Sequence, residues 1–441
     1  MRLTVFRITI TLVTFCLVLQ AGAYPLDGRD RSGIKRLTGY LNAQSSPQGP
    51  KIVAGGLLGL NDILLNLVEN ADIPDFDLAA RLDPGLQRSI DSIFKNRDPS
   101  YSAVVIDITN PDQLATALVR PDTKQNAGSV GKILTMLALF DSLAIAFPDT
   151  EDRARVLRDT DVLAGEWVLT DSHKVPKYSE ETKTNRFSAI DPGDRFKLSE
   201  WIDHMVSPSA NAAGSVVWRE AMLIRHFGNA YPVSQQMSDQ FFNQTPKPAL
   251  FELSQQVARQ PLRSAGINIE NLQQGSFWTR TGKAKVPGTQ SFATARELAR
   301  FMFRLEQGRL VDRWSSLEMK RYLYMTKRRY RYVYGPELHQ SAVFFKSGSF
   351  FQCQPEENFK CEKYMGNKRN LMNSVVTIES LPGSQPAYRY IVAMMSNVLK
   401  VNSAWDHSRL GAAIHEAVMT RGAVKVEEDT DEKTIKDAGQ S

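Results

Sequence analysis

Cysteine is scarce in this chain: three residues in 441, at positions 16, 353 and 361. Long apolar runs are scarcer still. Arg2 and Arg7 flank the start of the first, residues 8–20, which ends in Ala21-Gly22-Ala23. A charged start, a short apolar core and an A-x-A end predict a secretory signal cleaved after Ala23. The run is too short and its far flank too polar for a comfortable membrane span, so an uncleaved anchor is the lesser alternative, and no later segment looks transmembrane. The mature chain is therefore expected to be exported, periplasmic or extracellular, with no stable membrane span. Cys16 departs with the signal, because Phe15 before it is too bulky for a lipid-attachment site. Cys353 and Cys361 remain, close in sequence and free to pair in an oxidising compartment. A zinc pair is the competing reading, but no histidine stands near and two ligands do not make a site.

A strong net charge is also lacking. The formal net charge is +6, and loss of Arg2 and Arg7 takes it to +4, since residues 1–23 contain no acid. No nucleic-acid partner is expected from so mild a balance. Residues 320–331 are the exception: Lys320, Arg321, Lys327, Arg328, Arg329 and Arg331 interleave with Tyr322, Tyr324 and Tyr330. Such a run could track an anionic surface, but the expected reading is a solvated face beside half-buried tyrosines.

With 42% apolar and 23% charged residues the remainder is ordinary globular protein, without internal repeats. Residues 24–50, rich in Gly, Ser, Pro and charge, read as a flexible leader, within an N-terminal extra segment spanning 24–83. From 84 the pattern sharpens. Leu86, Ile90, Ile93 and Phe94 recur at helical spacing; residues 101–108 read as a strand and 114–119 as its hairpin partner. Residues 133–146, apolar and free of Gly and Pro, predict a buried helix. The middle, 150–310, reads as mostly helical with polar loops such as 171–192. Strands return at 341–351, 373–378 and 388–395, and 409–419 closes the body as an amphipathic helix. The tail, 423–441, is acidic and from Glu427 lacks aromatics, which predicts disorder. The expected class is α/β, with an antiparallel sheet built from both chain ends, flanked by helices, and an all-helical subdomain.

Three motifs carry chemistry. Ser129-Val-Gly-Lys132 precedes the apolar helix, so serine and lysine share one face. A serine hydroxyl is a weak nucleophile until a base takes its proton, and a buried lysine beside another cation has its pKa lowered enough to be that base. A helix start also aims backbone N–H groups at a developing oxyanion. The bland alternative is a helix cap. Ser209-Ala-Asn211 opens another helical segment; the hydroxyl could relay a proton and the amide hold a substrate amide, while a capping role would explain either residue alone. Lys346-Ser347-Gly348 lies inside an apolar strand. A lysine there needs an anion or a cleft to face, and Gly348 permits close approach.

In order and context these motifs resemble the three-motif signature of class A β-lactamases and penicillin-binding proteins. The second follows the first by 80 residues and the third follows by 137 more. Residues 101–130 resemble the strand pair leading into the nucleophile, and 293–300 the helix start between the last two motifs. The resemblance covers roughly 84–420 and implies a serine-hydrolase domain over 84–422 with a β-lactamase/transpeptidase-like fold. It implies that Ser129 is acylated, that Lys132 activates it, and that Ser209 passes a proton to the leaving nitrogen. Asn211 would bind the substrate amide, Lys346 and Ser347 its carboxylate, and the N–H groups of Ser129 and Ser349 the oxyanion. No metal or organic cofactor is implied; the partner is a β-lactam or a cell-wall peptide. Two departures matter. Ala210 replaces the usual Asp, and the Glu that drives deacylation in class A enzymes has no counterpart in context between Asn211 and Ser291. Glu252 and Glu270 are the candidates there, and Glu166 falls in the wrong interval. A β-lactam hydrolase, a D,D-carboxypeptidase or endopeptidase, and a non-catalytic surface-binding protein with relic motifs all stay open.

Overall fold

The computed structural model describes residues 26–45, 52–70, 73, 79–333 and 335–438, with side chains as far as Arg421. The run read as a secretory signal lies outside the described residues. Strands form at Ser102–Asp107 (β1), Ala115–Val119 (β2), Asp161–Leu163 (β3), Lys174–Ser179 (β4), Thr184–Ala189 (β5), Arg195–Lys197 (β6), Ser341–Gln352 (β7), Arg369–Ser380 (β8) and Arg389–Ser396 (β9). One five-stranded sheet runs β2-β1-β9-β8-β7, every pairing antiparallel. The β1–β9 pairing, Ser102 opposite Met395 through Asp107 opposite Tyr390, joins the two ends of the chain.

Both faces of this sheet are covered, which is why β1 and β9 read as unbroken apolar runs. Side chains alternate across a strand. Ala103, Val105, Val392 and Met394 point to one face, against Leu86, Ile90, Leu410 and Ile414 of the helices Pro84–Phe94 and Ser403–Ala438. Val104, Ile106, Ile391 and Ala393 point to the other and join the larger core with Leu137, Phe140, Met302 and Trp218. The helix Pro84–Phe94 starts where Asp83 accepts the Leu86 N–H, with Pro84 in the first turn. The helical run Gly128–Ala146, which ends in the helix Lys132–Ala146, is long and apolar enough to cross a membrane by composition, but residues 132–140 are all buried in the protein. It packs against Asn211–Phe227 in the helical half.

Three expectations differ from what is observed. Residues 26–45 are not a loose leader. Their helix Arg36–Gln44 lies on the body, with Ile34 and Leu37 buried and Arg36 paired to Asp203 through Nε–Oδ2 at 2.5 Å and Nη2–Oδ1 at 2.6 Å. Composition hid this because the tie is one buried ion pair and two apolar side chains. The polar stretch 171–192 holds the β4–β5 hairpin, Lys174 opposite Ala189; its charges and Pro176 mask the alternation. The final helix continues through Glu427 to Ala438. Glu, Lys and Ala are good helix formers, and no Gly or Pro interrupts residues 423–437.

Candidate active site

Gly128 takes φ +52°, a left-handed conformation that suits glycine, and starts a single 3₁₀ turn, Gly128–Gly131, that feeds the helix Lys132–Ala146. Ser129 is thereby half exposed at the mouth of the site while Lys132, one turn on, is fully buried beneath it. Lys132 Nζ lies 2.9 Å from Ser129 Oγ, 2.8 Å from Asn211 Oδ1, 2.8 Å from the Ser209 carbonyl and 3.4 Å from Ser209 Oγ.

The second motif arrives by a strained turn. The helix Leu198–Val206 ends before Ser207-Pro208, and Ser209 adopts φ +68°, an uncommon conformation for a residue with a side chain. That turn aims the Ser209 hydroxyl at both lysines and starts the helix Asn211–Phe227. Ala210 offers this helix no side-chain cap; Asp171 supplies one from elsewhere, its Oδ2 accepting the Ala212 N–H at 2.8 Å. Asp171 Oδ1 lies 2.6 Å from His173 Nδ1.

The third motif lies on β7, an edge strand paired only with β8. Lys346 Nζ reaches Ser209 Oγ at 2.9 Å and the Ser347 carbonyl at 2.8 Å. Gly348 is required by proximity: a Cβ there would sit 2.6 Å from the Ser129 nitrogen and 2.7 Å from the Ala127 carbonyl oxygen. The free edge of β7 thus lies directly against the serine turn, with half-exposed Ser349 next in line. Asn373 of β8 locks the arrangement, donating to the Asn126 and Ala127 carbonyls at 2.9 Å each and accepting from Gln125. Past the end of β7, Cys353 and Cys361 are joined in a disulfide, S–S 2.00 Å.

The structure therefore brings Ser129, Lys132, Ser209, Asn211, Lys346, Ser347, Gly348 and Ser349 to one cleft. Burial, aided by the positive charges of Arg328 and Arg331 and opposed by Asp171, lowers the Lys132 pKa to about 7. Burial, with Lys132, Arg331 and Arg328 nearby, holds Lys346 well below the usual lysine range. Burial pushes the Asp171 carboxyl up, but the hydrogen bond and charge of His173 and the backbone N–H groups of Ala212 and His173 outweigh it, so the group stays below its ordinary value. Trp278 closes the floor, its ring 4.7 Å from Lys132 Nζ and its Nε1 donating to Thr135 Oγ1 at 3.2 Å. Among the described residues no carboxylate is hydrogen-bonded to Ser129 or Lys132. Glu166 is exposed and faces Lys285 at 3.4 Å, and Glu252 and Glu270 are exposed as well.

Several site residues carried no readable sequence signal; Asp171, Trp278 and Asn373 are among them. Arg331 stood in the basic tyrosine run, and that run is not a solvated face. Of its six cations only Lys327 is exposed. Lys320 is fully buried between Glu306 at 2.8 Å and Glu379 at 2.5 Å, and Tyr322 and Tyr324 are buried too. Lys320 draws its counter-ions from 14 and 59 residues away, so a local window does not show that it is paired. Arg331, also buried, donates to Ser347 Oγ at 3.0 Å and to the Tyr364 hydroxyl at 2.8 Å.

Solved structures with a similar fold include a protein termed PBP-A, at 14% identity and TM-score 0.45, covering 78% of this chain and 97% of its own. The TLA-3 extended-spectrum beta-lactamase is 14% identical with TM-score 0.48, over 76% and 96% of the two chains. A representative class A beta-lactamase from Bacteroides cellulosilyticus DSM 14838 gives 14% identity and TM-score 0.48, over 76% and 95%. No curated protein sequence matches the chain. The family model described as the beta-lactamase enzyme family matches residues 85–356, more than half of the sequence and all three motifs. The chain belongs to the beta-lactamase enzyme family.

Proposed function

We propose that this is an exported serine acyl-hydrolase that is acylated on Ser129 by β-lactams or D-Ala-D-Ala-type amides, and that it releases a β-lactam acyl group slowly. The observation that carries the reading is the position of Lys132 Nζ, within 2.9 Å of Ser129 Oγ in a fully buried setting that keeps the amine available as a base. In this reading Lys132 takes the Ser129 proton as Oγ attacks the carbonyl carbon, and the Ser129 and Ser349 N–H groups receive the oxyanion. The C–N bond then breaks, and the Ser209 hydroxyl hands a proton to the departing nitrogen and recovers one from the lysines on either side. Asn211 and the Lys346–Ser347 pair hold the substrate amide and carboxylate.

The absence of a carboxylate beside Ser129 and Lys132, among the described residues, favours a penicillin-binding D,D-peptidase over an enzyme that destroys β-lactams, because no carboxylate is placed to activate the second water against an acyl group whose tethered leaving amine stays in the cleft. The test is intact-mass analysis over time with a fluorescent penicillin, on the wild type and on Ser129→Ala. One adduct per chain, absent in Ser129→Ala and persisting for many minutes, is expected. Rapid loss of the adduct with penicilloate accumulation would overturn the slow-release reading. No adduct at all would overturn acylation and leave a surface-binding role for the relic motifs.

A further inference from the structure

Beyond Ser349 the cleft does not end. It opens into a pocket of about 610 Å³ on the far side of Pro208 and Arg331, a volume in the range of sites that take whole small molecules. Lys174, Lys327, Arg328, Arg331 and Lys363 contribute to its wall, and no Asp or Glu lines it. Among the described residues none of these five cations has a carboxylate within ion-pair distance. Four of them are held instead by aromatic rings and neutral acceptors. Lys327 Nζ lies 3.8 Å from the centre of the Phe187 ring, and Arg331 and Lys363 lie 4.8 and 5.1 Å from that of Tyr364. Arg328 donates to the Pro208 carbonyl at 3.2 Å and to the Tyr330 hydroxyl at 3.3 Å. Arg331 is more than nine-tenths buried, and its Nε has no hydrogen-bond partner. The Tyr330 phenol is the one internal group that can answer these charges: burial raises its pKa, but the charge of Arg331, the hydrogen bond with Tyr364 and the charge of Arg328 bring it down to about 7. Five cations against that one phenol leave an excess of positive charge, which an external anion would offset.

The side on which this pocket lies gives the anion its place. Pro208, which lines the pocket, adjoins Ser209 in the chain, and in the proposed mechanism Ser209 protonates the departing atom. Whatever occupies the space past Pro208 and Arg331 is therefore part of the leaving fragment. One carboxylate of that fragment is already accounted for at Lys346 and Ser347, so the pocket's remaining cations face a different group.

Resting on that mechanism, we infer that the cationic pocket is a subsite for a second carboxylate on the leaving fragment, so that the preferred substrate releases an amine bearing two acidic groups. The aromatic walls of Phe187, Phe351 and Tyr364 would cover the carbon chain between them.

Two thioesters with the same N-acyl-D-alanyl group test this, one releasing mercaptoacetate and the other mercaptosuccinate. In each, Ser129 Oγ forms the ester, the C–S bond breaks, the thiol leaves with the Ser209 proton, and water then frees the acid. The released thiol is titrated. The dicarboxylate is expected to have the higher kcat/KM by about tenfold at low salt, with the excess shrinking as salt rises. In Lys174→Gln/Lys363→Gln the ratio of the two substrates should fall towards one. Because the readout is a ratio within each protein, a variant that folds less well does not mimic the effect. Calorimetry of the two free thiols on Ser129→Ala reads the pocket without any acylation, and the same preference for mercaptosuccinate is expected, lost in the doubly substituted background. A ratio near one in the wild type, a ratio unmoved by the substitutions, or equal binding of the two thiols overturns the subsite. Failure of the penicillin to label Ser129 while mercaptosuccinate still binds more tightly would count against the mechanism alone.

Discussion

Lys132 offers the sharpest test, because its environment predicts a number on the pH axis. An ordinary lysine titrates at 10.5, and this one is brought to about 7, chiefly by burial. At about 1.36 kcal/mol for each pH unit, that places a penalty on the order of 5 kcal/mol on the ammonium form. At pH 7 an ordinary lysine keeps roughly one molecule in 3,000 as free amine, whereas this one keeps about half. The second-order rate of acylation by a fluorescent penicillin, followed by stopped flow, should therefore rise about tenfold per pH unit below pH 6 and level off above about 7.5. Two substitutions move the limb in opposite directions. Arg328→Gln removes a cation that lowers the lysine, so the limb moves to higher pH; Asp171→Asn removes the anion that raises it, so the limb moves to lower pH. Each displacement should be on the order of half a unit to one unit. Asn keeps an acceptor for the Ala212 N–H, so the helix start survives. The reasoning fails if the limb lies near 4, as a carboxylate base would place it, if neither substitution moves it, or if the same limb persists in Lys132→Met.

Two further outcomes follow from packing. Gly348→Ala brings a Cβ to 2.6 Å from the Ser129 nitrogen, backbone against backbone, so β7 or the serine turn must shift; acylation should drop by about a hundredfold or more, with much smaller loss in Gly193→Ala, whose surroundings are open. Arg36→Ala or Asp203→Ala each strands one buried charge and should lower unfolding free energy by about 3–5 kcal/mol in urea titrations, while the double substitution should cost clearly less than the sum.

The contrast between what the sequence disclosed and what it hid has a physical basis. The sheet was legible because β1 and β9 are buried on both faces, which leaves apolar runs that no loop would carry, and the helix on one face because Leu86, Ile90, Ile93 and Phe94 recur at helical spacing. The three motifs were legible because residues that work on one serine turn must sit at fixed spacing: Lys132 reaches Ser129 only from the next turn, and Gly348 alone lets β7 lie against it. What stayed hidden is held by partners far apart in the chain. Asp171 matters through an N–H that is 41 residues away, Lys320 through Glu379 at 59, and Arg36 through Asp203 at 167. A window of local charge cannot separate such residues from solvated ones. The basic tyrosine run shows the consequence, since it reads as surface yet supplies the residue that anchors Ser347.

That same run links catalysis to substrate charge. Arg328 and Arg331 help hold Lys132 low and also line the proposed acidic subsite. An anion bound there would offset their field and raise the Lys132 pKa. Added desolvation by the substrate would act the other way, but Lys132 is already fully buried, so little remains to remove. The Coulombic effect should win. The pH profile of the second-order acylation rate reports the free enzyme, and that of the limiting rate at saturation reports the complex. The limb of the limiting rate should thus lie above that of the second-order rate, and further above it for the mercaptosuccinate thioester than for the mercaptoacetate one. Coincident limbs for both substrates would mean that the bound anion does not reach the field of Lys132, and that recognition and activation are separate functions of these arginines.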